Sequence, residues 1–150
     1  MKIDEKIFYS KEIEKEIRWI LKNCTNIDQI IEEKKKLIIS LMNNTVNAKL
    51  KSEAGYGNAN SLEDVIIKID ENPQIKRLEK WKEVLEIAFI LIETGGRPYI
   101  TVIEEKYKNK NDNEKIMELL GINENTLFYL ELDIRRSVYQ IAIDFGLYKE

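Results

Sequence analysis

Asn123, Asn125 and Thr126 crowd into four positions just past Gly121, where the pattern of apolar residues predicts a new helix. Amide and hydroxyl side chains in a first helical turn can cap free backbone N–H groups, or hydrogen-bond a phosphate or base edge brought to the helix N-terminus. Asn123, with Thr126 at its third position, has the spacing of a cap. Asn125 is as well placed for an outside ligand. Phe128 and Tyr129 follow, and aromatic rings there can touch thymine methyls or serve as protein contacts. Arg135 and Arg136 lie two to three turns further on, within reach of a phosphate backbone. Lys106, Lys108, Lys110 and Lys115 cluster ahead of these residues and supply cations for phosphates. Glu124, Glu131 and Asp133 on the same helix carry the opposite sign and predict repulsion from DNA.

Other chemistry lacks its residues. The chain has no histidine and one cysteine, Cys24, so the commonest general base and the usual zinc ligand sets are missing. No Gly-rich nucleotide loop and no nucleophile elbow occurs. Gly95-Gly96-Arg97 reads as a helix stop, Glu104-Glu105 as solvated charges, and Cys24 as a structural residue near a helix end. The expectation is a protein that is no enzyme and uses no cofactor and no metal.

The elements that position the candidate residues read as helices throughout. Ser10 can cap a first helix to about Asn23, with Ile13, Ile17, Ile20 and Leu21 on one face. Thr25 and Asp28 resemble a capping box for a second helix through about Met42. The two are predicted to form an N-terminal hairpin, residues 1–42. Residues 43–60 are rich in Asn and Gly and read as a flexible linker. Residues 61–150 follow as a helical domain: a short helix from Ser61 to about Ile69, a longer one opened by Asn72-Pro73 and stopped at Gly95-Gly96, and a fifth from Pro98 to about Tyr107. The C-terminal half of the fourth helix is apolar nearly all round, which predicts a central place in the core. Residues 113–146 then read as helix, glycine turn and long last helix: Ile116, Leu119 and Leu120 form a stripe, Gly121 ends it, Ile122 plugs the angle, and Gly146 stops the final helix. The fold class is all-α.

A chain of 150 residues with 43% hydrophobic and 34% charged residues suits one soluble helical domain with a real core. A lone cysteine, no apolar run long enough to span a bilayer and no signal-like N-terminus predict a cytoplasmic protein without membrane attachment. The net charge of −3 gives no basic footprint, and residues 113–150, with 4 basic and 7 acidic side chains, are the most acidic stretch.

The order of segments resembles the RinA/ArpU group of phage transcriptional activators, whose C-terminal helix-turn-helix is similar to region 4 of sigma factors. The likeness rests on Ile20-Leu-Lys-Asn-Cys with Ile27-Asp-Gln-Ile-Ile-Glu-Glu, on Ser61-Leu-Glu-Asp, on Ile103-Glu-Glu-Lys-Tyr-Lys-Asn-Lys, and on Leu120-Gly-Ile-Asn-Glu-Asn-Thr with Ala142-Ile-Asp-Phe-Gly. Where that group commonly carries Arg and Lys after the Thr, this chain has Leu127 through Asp133. The resemblance implies a DNA-binding regulator of late phage or prophage genes with duplex DNA as partner. The acidic and aromatic last helix implies an alternative: a module that binds RNA polymerase or another protein, or a second copy of itself, with little or no DNA contact.

Overall fold

The computed structural model describes residues 10–52 and 62–149, and the side chains of all of these except 44–52. The described fold is all-α. Seven α-helices run α1 (Lys11–Lys22), α2 (Ile27–Ser52), α3 (Leu62–Glu71), α4 (Pro73–Glu93), α5 (Arg97–Thr101), α6 (Asn113–Leu120) and α7 (Glu124–Asp144), with a π-helix, Val102–Lys108, continuing α5. No strand occurs among the described residues. The described residues form two compact units, one through Thr25 and from Trp81 onward, the other within Asn26–Lys80.

In the first unit, the Ser10 hydroxyl accepts from the Ile13 N–H and starts α1, which buries Ile17, Ile20 and Leu21 completely. α1 packs against α7, and α5, α6, α7 and the π-helix pack on one another. The C-terminal part of α4 contributes Trp81, Val84, Leu85, Ala88 and Ile92, spaced as one helical stripe. Trp81 meets the Tyr148 ring edge-on at 5.9 Å. Ile87, Ile90 and Leu91 of the same helix are exposed. The helix contributes to the core as expected, but through one stripe that repeats every three to four residues and not through its whole apolar circumference.

In the second unit, α2 and α3 pack together. Ile27, Ile31 and Met42 of α2 are buried, as are Ile75 and Leu78 at the start of α4. Asn72 caps α4, its side-chain oxygen accepting from the Gln74 and Ile75 N–H groups, each at 3.0 Å, ahead of Pro73 at the first helical position. α2 runs ten residues past the expected end at Met42, to Ser52, so residues 43–52 of the expected linker are helical; 53–61 lie outside the described residues. The Asn pair that suggested a break costs a helix only a fraction of 1 kcal/mol per residue, roughly, too little to stop an established helix.

The fifth helix also departs from expectation. It is α-helical only to Thr101 and then widens into the π-helix, so that the Asn109 N–H reaches back to the Glu104 carbonyl. The Asn111 N–H and side-chain amide both donate to Glu105, the one to its carbonyl and the other to its carboxylate. Lys110 takes a positive φ of 61° in this exit turn, and its ammonium donates to the Lys22 carbonyl at the end of α1.

Candidate nucleic-acid interface

The helix-turn-helix segment is built by three local devices. The Asp112 carboxylate accepts from the Lys115 N–H at 2.9 Å and opens α6. Gly121, at φ 64° and ψ 39°, closes it: the Ile122 N–H donates to the Met117 carbonyl at 3.1 Å and the Gly121 N–H to the Glu118 carbonyl, a Schellman motif. The Asn123 side chain then accepts from the Thr126 N–H at 2.9 Å and opens α7. Ile116 is fully buried in the angle and Ile122 is half-buried. Arg97 donates to the Leu119 carbonyl at 3.5 Å, tying α5 to the end of α6. At its other end α7 stops on the same kind of motif, with Gly146 at φ 80° and the Leu147 N–H donating to the Ala142 carbonyl.

The candidate residues then divide by the face of α7 they occupy. Asn123 is the cap. Asn125, Thr126, Phe128 and Tyr129 are exposed over the opening turns, Phe128 and Tyr129 at 50% and 52%, their rings edge-on at 5.5 Å. Arg136 is half-buried on the same side of the helix as Asn125 and Tyr129. Arg135 is not available to a backbone: it is 4% exposed, and its Nε lies 4.0 Å from Glu14 of α1. The expected phosphate contact at this position is corrected to an internal one. The physical reason is its register, one turn after Glu131 and next to Ile134 on the buried stripe.

The lysine cluster also divides. Lys106 is taken by Glu131 in a largely buried ion pair between the π-helix and α7. Lys108 pairs with Glu104 at 2.9 Å on the surface, where Glu104 holds its ammonium pKa above the ordinary lysine value. Lys110 is exposed and seated on the Lys22 carbonyl, and Lys115 is exposed on α6.

The acids that argued against DNA contact are the largest departure from expectation. Glu131 is 9% exposed and bound to Lys106. Asp133 accepts from the Tyr99 hydroxyl at 2.9 Å; burial first, then this bond, pushes the Tyr99 phenol above its usual pKa. Only Glu124 stays exposed among the three. The signal for Glu131 was present in the sequence: Leu127, Glu131, Ile134, Val138 and Ala142 recur on one helical stripe, which puts the carboxylate among core residues. Nothing in the sequence pointed to Lys106 or Tyr99 as partners, because each comes from another element.

Cys24, half-buried, donates from its thiol to the Tyr107 carbonyl at 3.5 Å, and burial pushes its pKa up. A thiol held protonated is a poor nucleophile. No group of carboxylates and thiols able to hold a metal occurs among the described residues, and no described helix is long and apolar enough to cross a membrane. Comparison with protein families, with curated proteins and with solved structures finds no match to this chain.

Proposed function

We infer that this chain is a DNA-binding transcription regulator that uses α6 and α7 as a helix-turn-helix, in the manner of the phage activators its sequence resembles. The observation that carries this reading is the sorting of side chains on α7. Glu131 and Asp133 are bound by Lys106 and Tyr99, while Asn125, Thr126, Phe128 and Tyr129 are left exposed over the opening turns. A major groove meets the N-terminal turns of a recognition helix, where amides pair with adenine and apolar groups touch thymine methyls. Late phage or prophage genes are the targets that the resemblance implies.

The test is selection of bound duplexes from a random pool, followed by fluorescence anisotropy on the selected site. Asn125→Ala and Tyr129→Ala are each expected to weaken binding to that site by about fivefold to a hundredfold, as loss of one base contact costs about 1–3 kcal/mol. Both side chains are exposed, so folding is expected to be unaffected. Failure to select any sequence sinks the reading. The half-exposed Phe128–Tyr129 pair favours a second use, contact with RNA polymerase or another protein. That use is supported if Phe128→Ala loses polymerase in a pull-down and keeps DNA affinity.

A further inference from the structure

The cations of α1 are collected on one side. Lys11, Lys15, Arg18 and Lys22 recur at helical spacing and fall within about 60° of arc, over roughly 16 Å of helix. All four are exposed. The acids of the helix are off this line and mostly occupied: Glu14 holds Arg18 at 3.0 Å and faces the buried Arg135, and Glu16 accepts from the Tyr148 hydroxyl. Glu12 is exposed on the flank. The line continues past the end of the helix, because Lys110 is seated on the Lys22 carbonyl and both Lys110 and Lys108 lie close enough to Cys24 to pull its thiol pKa down against burial.

We propose that this ridge, Lys11–Lys15–Arg18–Lys22 with Lys110, is a second contact surface for the phosphate backbone of duplex DNA. The proposal rests on the reading of α7 for the choice of partner and on α1 for the contact. A DNA strand presents a charge about every 3.4 Å of axis, so a line of cations this long can meet several phosphates. Such contacts fix register and supply affinity without reading sequence, which suits a helix with no amide side chain among its exposed positions. The Arg18–Glu14 pair is exposed and weak, and leaves the guanidinium free to exchange its carboxylate for a phosphate. An anionic lipid surface is disfavoured. Of the apolar residues of α1, Ile17, Ile20 and Leu21 are fully buried inside the protein and Trp19 alone is exposed, too little apolar surface to seat the helix in a bilayer.

The test compares two charge-matched variants of the full chain by anisotropy on duplex DNA between 50 and 300 mM salt, a range chosen to be about that over which counterion release dominates. One carries Lys11→Gln, Lys15→Gln and Lys22→Gln. The other carries Lys34→Gln, Lys35→Gln and Lys36→Gln on α2 and changes net charge equally. The ridge variant is expected to lower the slope of log affinity against log salt by about 2 to 3 and affinity at low salt by about tenfold or more, while the α2 variant leaves the slope nearly unchanged. Equal effects of the two variants, or none from the ridge variant, overturn the ridge. If Asn125→Ala and Tyr129→Ala still weaken binding in that case, the reading of α7 stands without it. If the ridge variant lowers the slope and the α7 variants do nothing, the ridge stands and the reading of α7 falls. Binding of phosphatidylserine vesicles without binding of DNA overturns both.

Discussion

Single side chains in this protein are governed by the neighbour each one meets across elements. Glu131 and Asp133 look like repulsive groups when their sign alone is read, yet each has a specific internal donor. Arg135 looks like a phosphate ligand and is buried. Tyr107 shows the same principle for a proton. It lies at the end of the π-helix, 7% exposed, and burial first, then the Glu131 carboxylate, pushes its phenol far above the usual value of 10.0. In the unfolded chain the phenol titrates at about its ordinary value. Below that pH both states hold the proton and the fold keeps its full stability. As pH rises through it the unfolded state releases its proton while the folded state does not, so stability falls. Cys24, also pushed up by burial, acts in the same direction from a lower starting value. Tyr107→Phe removes the phenol's share of this loss. Urea titrations at about pH 8 and pH 11 are expected to show wild type losing about 1 kcal/mol more than the variant. Equal losses would contradict the buried, protonated phenol.

At the scale of elements, legibility followed locality. Ser10, Asn72-Pro73, Asn123, Gly121 and Gly146 each act within a few residues of themselves, and each does what its type and spacing predict. The π-helix was not legible, because Val102–Lys108 has an ordinary helical pattern. It carries contacts with other elements, Lys106 with α7 and Tyr107 with Cys24. The extension of α2 through Asn43-Asn44 is hidden from the sequence for a related reason, since weak local preferences yield to a helix already formed. The turn between α6 and α7 is where a local rule carries the most consequence. Gly121 stands at φ 64° with no atom within 4 Å of where a Cβ would sit, so Gly121→Ala introduces backbone strain and no collision. The expected cost is about 1–2 kcal/mol, and Gly121→Asn is expected to cost less because Asn tolerates this conformation. Equilibrium denaturation orders the three proteins as Gly, Asn, Ala in falling stability. An Ala variant as stable as wild type would mean that the turn does not hold this conformation in solution.

The whole molecule shows why a net charge of −3 says little about its partners. Glu16 of α1 and Glu131 and Asp133 of α7 are drawn to internal donors, and the cations of α1 are left outside. The candidate site was therefore only half legible. Asn125, Phe128 and Tyr129 could be named from type and position, but their isolation from Glu131 and Asp133 depends on side chains distant in sequence. Burial is distributed as unevenly as charge. α7 buries eight of its residues, among them Leu127, Ile134 and Val138, whereas α3 buries none and leaves Leu62 75% exposed. A ten-residue helix is too short to persist on its own hydrogen bonds, so α3 leans on its contact with α2, in which none of its own residues is buried. Local opening should then expose α3 long before α7. Hydrogen exchange read by mass spectrometry is expected to show α3 amides exchanging at least about a hundredfold faster than those in the middle of α7, a difference of roughly 3 kcal/mol in opening free energy. Because α3 and α7 belong to different units, loss of α3 protection should leave the α6–α7 turn protected. Protection of α3 equal to that of α7 would overturn this ordering, and would mean that Leu62, Ile66 and Ile67 are covered in solution by something beyond the described contacts.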